Sequence, residues 1–235
     1  KKDPIPEGVD WDAWIGPAPY TNFINKYYHP GQWRKRLDYG TGTFGDMGCH
    51  IYDPTFKALG LTYPISLRSE GPKPNQDNWG FDAIIHYTFP ENQYSKNKTL
   101  PVTWYDGSAK PPKHIVNLVE GQKLPSQGSV VVGTKGTMLI PHVGMPKLFP
   151  QKRFKDFQME VVESQHHWHS FIDAVRGEGP LPSANFDYSG PLTETVLLGG
   201  IATRFPKQEL IWDAPNLSFK NNRKATELVK RKYRQ

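Results

Sequence analysis

A period-two alternation over residues 79–89 constrains the fold more than any other feature of this sequence. The apolar side chains that recur at every second position are Phe81, Ala83, Ile85, Tyr87 and Phe89. Between them stand mostly polar residues, so one side of the segment is suited to burial and the other is more polar. This is the pattern of a β-strand with one buried face.

Further segments extend this pattern and set the order of the elements. Strands are predicted at residues 64–71, 99–105, 130–132, 137–140, 146–149 and 209–213, and helices at 46–59, 164–177 and 189–204. The 21 Gly and 22 Pro agree with many turns in a sheet-rich fold. Runs of antiparallel-type strands, rather than alternating βα units, predict an α+β fold with helices on one face of an open sheet.

Two helices carry further signals. In residues 164–177, Ser164 is a candidate N-cap and Gly177 a candidate end. This helix is expected to bury its apolar side chains, which are Trp168, Phe171, Ile172 and Val175. In residues 189–204, Pro191 is expected in the first turn, and the pair Gly199-Gly200 indicates close helix packing.

The domain organisation predicted is a single domain over residues 1–235. Residues 1–20 are expected to form a linker and leading segment that two Trp anchor on the domain, and residues 214–235 a basic tail. The formal net charge of +6 comes largely from this tail, where Lys and Arg crowd between Lys220 and Arg234 against the one acid Glu227. A solvated helix end is the expectation for the tail, and no nucleic-acid partner is predicted.

Cysteine usage and hydropathy exclude several classes of protein. Cys49 is the only cysteine, so an intrachain disulfide and a Cys-rich metal site are both excluded. No apolar run approaches the length of a membrane span. Because the sequence starts at Lys1 without Met, we expect it to be cut from a longer protein.

A glycine-rich stretch at residues 39–53 holds the clearest candidate for chemistry. Asp46 and His50 are four residues apart in a helix-like segment, so both side chains are expected on one face. A carboxylate beside an imidazole is a usable proton-transfer pair, and Asp53 is a candidate to orient His50. The alternative is a structural turn entering a helix, with Asp46 near the N-terminus where the helix dipole favours an anion.

Aromatic and basic side chains just before this stretch form a candidate substrate rim. Trp33 or Tyr28 offers a ring on which a sugar can stack, Arg34 offers hydrogen-bond donors, and Tyr39 adjoins the first glycine. A packed loop is the alternative for these residues.

A histidine cluster at residues 166–169 raises the question of a metal site. The cluster does not by itself complete a set of ligands, so no metal is predicted. His166 and His167 are instead candidates to reach a substrate pocket from the start of their helix.

The motif G-x-G-x-x-x-D-x-G-x-H-x-x-D, which begins at Gly40, resembles the glucose-fructose oxidoreductase / inositol dehydrogenase / MocA family. The stretches that support the resemblance are residues 11–19 (WDAWIGPAP), 104–107 (WYDG), 132–136 (VGTKG) and 186–194 (FDYSGPLTE). Together they resemble a bacterial subgroup of that family over nearly the whole chain.

The resemblance implies a C-terminal domain built on a large, mostly antiparallel open sheet, which shapes a substrate pocket and often mediates oligomerisation. It also implies a protein of the bacterial cytoplasm or periplasm. Its Rossmann partner domain, which binds NAD or NADP, is absent here, because no G-x-G-x-x-G follows an N-terminal strand. The family pattern implies Asp46 and His50 as the catalytic pair, with His50 moving the proton of a sugar, polyol or glycoside hydroxyl while the cofactor takes hydride from the same carbon. Two alternatives remain: a redox-neutral NAD-dependent glycosidase, and a cofactor-free carbohydrate-binding or assembly module.

Overall fold

The structure is a computed structural model that describes residues 2–234, so Lys1 of the predicted linker and Gln235 of the predicted tail lie outside it. The helices are α1 (Trp11–Ile15), α2 (Gly42–Ala58), α3 (Lys113–Val116), α4 (His167–Arg176), α5 (Phe186–Thr203) and α6 (Arg223–Thr226), with 3-10 helices at Gln32–Lys35 and Asn117–Val119. The strands are β1 (Ser66–Ser69), β2 (Ile84–Pro90), β3 (Thr99–Tyr105), β4 (Gly128–Val132), β5 (Thr137–Pro141), β6 (Lys147–Phe149), β7 (Glu209–Asp213) and β8 (Ser218–Phe219).

The strands form two antiparallel sheets, which confirms the predicted α+β class. The first has five strands in the order β3-β2-β1-β7-β8, and the second has three in the order β4-β5-β6. The prediction of one large sheet is therefore corrected to two. The chain leaves the first sheet after Tyr105, and the β4–β5 hairpin then pairs with β6 instead of rejoining β3.

Helices α2 and α5 pack together, and α5 lies against β1 and β2 of the five-stranded sheet. The predicted alternation in β2 is confirmed: Ile85, Tyr87 and Phe89 are buried, and His86 is exposed. Phe81, which precedes the strand, is 51% exposed instead of sharing its buried face. The main core lies where this sheet meets the two helices.

Gly199 of α5 confirms the close packing predicted for this helix. A Cβ at this position would overlap the Tyr87 hydroxyl and the Phe44 ring. The absence of a side chain therefore lets α5 approach both α2 and β2.

Both long helices begin earlier than predicted. Helix α2 starts at Gly42, four residues before Asp46, and keeps Pro54 inside it. Helix α5 starts at Phe186 because the Asn185 side chain caps it, accepting a hydrogen bond from the Asp187 amide. Pro191 consequently lies inside α5 and not in its first turn.

The expectation that α4 buries its apolar side chains is wrong. Trp168 is 64% exposed and Val175 72%, with Phe171 and Ile172 between half and two-thirds exposed. His166, not Ser164, occupies the N-cap position, while Gly177 ends the helix in the left-handed region as expected. Helical spacing had identified an apolar stripe, but no part of the described chain covers it.

The C-terminal residues are packed onto the domain, although most of their Lys and Arg side chains are exposed, as expected for a solvated tail. Phe219 and Ala225 are buried in the main core. Arg234 donates to the Asp12 carboxylate at 2.6 Å and to the Gly16 carbonyl at 2.9 Å, so the chain end is fastened to the leading segment. Trp11 of that segment is buried, which confirms its predicted anchoring. Across residues 2–234, no helix has the length and apolar character that crossing a membrane requires.

Candidate active site

The turn that enters α2 is held tightly from both sides. Gly42 has φ +69°, in the left-handed region that favours glycine. A Cβ on Gly40 would overlap the backbone of Arg34, and the Trp79 indole donates to the Gly40 carbonyl at 2.8 Å. The glycines therefore provide both a positive φ and a close backbone approach, and they fix where α2 starts.

Asp46 lies in the second turn of α2 and is paired with Arg34. The Arg34 Nε donates to Asp46 Oδ1 at 3.2 Å, and the two side chains are 46% and 47% exposed. The Arg34 guanidinium also lies 4.6 Å from the centre of the Trp33 ring. Three of the predicted site residues thus form one continuous surface of ring, cation and carboxylate.

His50 lies one helical turn beyond Asp46 and is exposed. Among the described residues, no hydrogen bond joins its imidazole to the Asp46 carboxylate. The ring of His142 lies beside that of His50, with centroids 5.7 Å apart. The two members of the predicted pair share an exposed helix face, and each has a different neighbour.

Asp53 does not orient His50 in this structure, contrary to expectation. The Tyr188 hydroxyl donates to Asp53 Oδ1 at 2.7 Å and also contacts its backbone oxygen at 3.0 Å. Burial first, and then this carboxylate, raise the pKa of the Tyr188 phenol above its ordinary value. Asp53 therefore links α2 to α5.

Tyr28 and Tyr39, predicted to bind substrate, lie in an aromatic cluster with Trp11 and Trp14. Tyr28 is 5% exposed, and its hydroxyl lies 2.9 Å from that of Thr21. The Tyr39 ring lies 5.2 Å from Trp14 and 5.6 Å from Tyr28. Burial raises the pKa of the Tyr39 phenol to about 12, with smaller contributions from Tyr28 and Asp38. In this structure both rings pack within the domain, and a substrate contact for them stays a prediction.

His166 and His167 lie apart from the α2 pair. His166 stacks on His169 at 4.1 Å between ring centres, and His167 lies 4.8 Å from the Trp168 ring. Within residues 2–234, no hydrogen bond or ring contact connects these imidazoles to Asp46 or His50. In the same range, no group of three or more His, Cys, Asp or Glu is arranged to hold a metal ion. A substrate role for the two histidines stays a prediction.

His142 is a neighbour of His50 that the sequence did not single out. It is exposed. Its Nδ1 lies 2.8 Å from the Gln127 Oε1, at the open end of the β4–β5 hairpin. The only signal in the sequence was its position just beyond a predicted strand, and that position does not reveal which helix the hairpin meets.

The buried carboxylate of Asp106 belongs to the fold and not to this surface. It accepts hydrogen bonds from the Ala83 amide at 2.7 Å and from the Trp104 indole at 3.1 Å. Burial raises the pKa of this carboxyl group above its ordinary range, against the lowering effect of those two donors. Both oxygens are thus engaged in joining β2 to the turn after β3.

The described residues do not fit a dinucleotide by themselves. All the strand pairings are antiparallel, whereas a Rossmann site needs a parallel βαβ unit. The glycine-rich turn before α2 follows a 3-10 helix, not a strand.

One comparison with known protein families is positive. A family model described as the oxidoreductase family, C-terminal alpha/beta domain, matches residues 1–94. The matched part contains the glycine-rich turn, all of α2 and strands β1 and β2. No curated protein matches the sequence.

Proposed function

We propose that this chain forms the substrate side of an active site. The premise is that residues 1–94 match the C-terminal alpha/beta domain of the oxidoreductase family. The reaction is oxidation or reduction at a CH–OH carbon of a sugar, a polyol or a glycoside. The acceptor or donor of hydride is NAD or NADP, held outside the residues described.

The observation that carries the proposal is the exposed face of α2. Asp46 and His50 both reach solvent from this face, and both lie inside the matched residues. A proton-transferring group must reach a substrate hydroxyl, and exposure one turn apart on a rigid helix supports that use.

His50 is assigned the proton transfer. A neutral imidazole accepts the proton of a hydroxyl group near pH 7, because its ordinary pKa lies near that value. Asp46 lies one turn away on the same exposed face of α2. The Arg34 partner of Asp46 holds this carboxylate in place.

Trp33 and Arg34 are assigned substrate binding. Their guanidinium–indole contact presents an apolar ring beside a set of N–H donors, which suits the flat face and the hydroxyl groups of a sugar. The pair adjoins Asp46, so a bound ring would lie beside the reactive face of α2.

The test uses His50→Ala in the full-length protein that contains this chain. We expect turnover of a sugar or polyol with added NAD or NADP to fall roughly 100-fold or more, the usual contribution of general acid–base catalysis. His86→Ala is the matched control, since His86 is an exposed imidazole on β2. An active His50→Ala variant would remove the assigned role.

The same assay separates the alternatives. Release of a sugar from a glycoside without net NADH would indicate the redox-neutral glycosidase. Sugar binding without turnover in any preparation would indicate the carbohydrate-binding or assembly module.

A further inference from the structure

We propose that His142, held by Gln127, is a second imidazole of this site and binds the substrate hydroxyl adjacent to the one that His50 deprotonates. The inference rests on the proposed function and names one feature of the substrate, a pair of neighbouring hydroxyl groups. The observation behind it is that the β4–β5 hairpin brings this imidazole to the exposed face of α2.

The hairpin is fixed relative to α2 at a point next to His50. The Ser129 hydroxyl of β4 donates to the backbone oxygen of Ile51 at 3.2 Å. Ile51 follows His50 directly, so this bond sets the distance between the hairpin and the catalytic helix. His142 and His50 are thus placed by rigid elements on both sides.

Two hydrogen bonds set the position of the His142 ring. The pairing of Gly128 with Pro141 continues into a backbone bond from the His142 amide to the Gln127 carbonyl, at 3.0 Å. The side chains repeat the pairing, with Nδ1 2.8 Å from Oε1. Because the amide oxygen of Gln127 is the acceptor, Nδ1 carries the proton and Nε2 of the neutral ring keeps its lone pair.

The spacing of the two rings leaves room for substrate oxygens. Their centroids are 5.7 Å apart and their planes tilt by 43°, and no direct hydrogen bond joins them within the described residues. Each ring nitrogen needs an oxygen at about 2.6–3.2 Å. Two hydroxyl groups on neighbouring carbons can satisfy one ring each, whereas a substrate with a single hydroxyl would leave His142 without a partner.

The negative charge on this surface favours a neutral substrate over an anionic one at His142. Asp46 and Asp53 stand one turn before and about one turn after His50 on the same helix. The Asp46 carboxylate is paired with Arg34, and the Asp53 carboxylate accepts a hydrogen bond from the Tyr188 hydroxyl. A neutral polyol adds no like charge next to them.

The experiment pairs one residue with one hydroxyl. Wild type and His142→Phe in the full-length protein are compared on the polyol that is oxidised fastest and on the analogue lacking the hydroxyl next to the oxidised carbon. We expect His142→Phe to lower kcat/KM about tenfold on the polyol, mainly through KM, and to leave the analogue nearly unchanged, because one hydrogen bond is lost only with the first.

Equal losses on the two substrates would overturn the proposal, since a purely structural role cannot distinguish them. His86→Phe is the control at an exposed imidazole outside the site and is expected to match wild type on both substrates.

A binding measurement separates this proposal from the proposed function. The ring ¹⁵N signals of His50 and His142 are followed in the 235-residue chain while myo-inositol is added. If the protein shows no redox activity but both rings respond, the shared binding site stands and the oxidoreductase assignment fails. If the protein is active and the His142 ring is silent, the proposal for His142 fails.

Discussion

Arg34 donates from its Nε to Oδ1 of Asp46 at 3.2 Å and so joins the 3-10 helix before the glycine-rich turn to the exposed face of α2. The two residues are 12 positions apart in the chain, and the tight turn at Gly40 is what brings them together. The pair connects the predicted substrate rim to the predicted catalytic face.

Removing this cation should affect activity more than stability. Arg34→Ala is expected to lower kcat/KM of the full-length protein roughly tenfold, because the Asp46 carboxylate loses its ion-pair partner. The free energy of unfolding should change by less than about 1 kcal/mol, as is usual for exposed ion pairs. Arg68→Ala, which breaks the exposed Arg68–Glu70 pair on β1, is the control for activity. A similar loss of activity in both variants would contradict the prediction.

A methyl group at Gly199 should destabilise the main core. A Cβ there would overlap both the Tyr87 hydroxyl and the Phe44 ring, so Gly199→Ala is expected to cost about 1–3 kcal/mol in urea unfolding. The next residue of the same helix provides the control. At Gly200 the added methyl group would meet the Trp79 ring at an ordinary 3.4 Å, so Gly200→Ala should be neutral or slightly stabilising.

Because the apolar stripe of α4 is exposed, we expect the free energy of unfolding to change little when its residues are replaced. Replacing Trp168 or Phe171 by Ser should change the free energy of unfolding of the 235-residue chain by about 0.5 kcal/mol or less, because both rings are already more than half exposed. Phe89→Ala should cost about 3–5 kcal/mol, since Phe89 is fully buried. Losses of the same size at α4 and at Phe89 would show that the stripe is covered in solution.

The raised pKa of the Tyr39 phenol predicts that the stability of the protein depends on pH in the alkaline range. Its pKa is raised to about 12 in the folded chain, against 10.0 for the ordinary phenol, chiefly by burial. Between these values the unfolded chain loses this proton before the folded chain does, so stability falls as pH rises from about 10 to 12. Tyr39→Phe should flatten this part of the curve in chemical unfolding at pH 9 to 12. Tyr20→Phe, at a ring that is 60% exposed, is the comparison, and identical curves for the two variants would refute the prediction.

Local patterns in the sequence predicted the strands well. The bounds of β3 and β7 agree with residues 99–105 and 209–213, and the buried face of β2 follows its period-two spacing. Strand patterns succeed here because each strand needs only a buried face and a polar one, and both can be read from neighbouring residues.

Partners far apart in the sequence could not be predicted in this way. The Tyr188–Asp53 bond spans 135 positions, and the approach of His142 to His50 depends on how a separate hairpin docks. The stripe on α4 shows a related limit, since helical spacing states that a face is apolar but not that anything covers it. The Asp46–His50 spacing correctly places both side chains on one exposed helix face, and their roles in chemistry remain predictions.

A crossing segment, from Gln151 to Asn185, connects the two parts of the chain that form the core. None of its residues is buried, whereas α2 and β1 from the first part pack against α5 and β7 from the second. Cleavage by a protease within this crossing would therefore sever the backbone without dismantling the core. The two fragments should co-elute as one particle and separate only in denaturant. The domain then behaves as a complex of two segments, and the crossing segment only tethers one to the other.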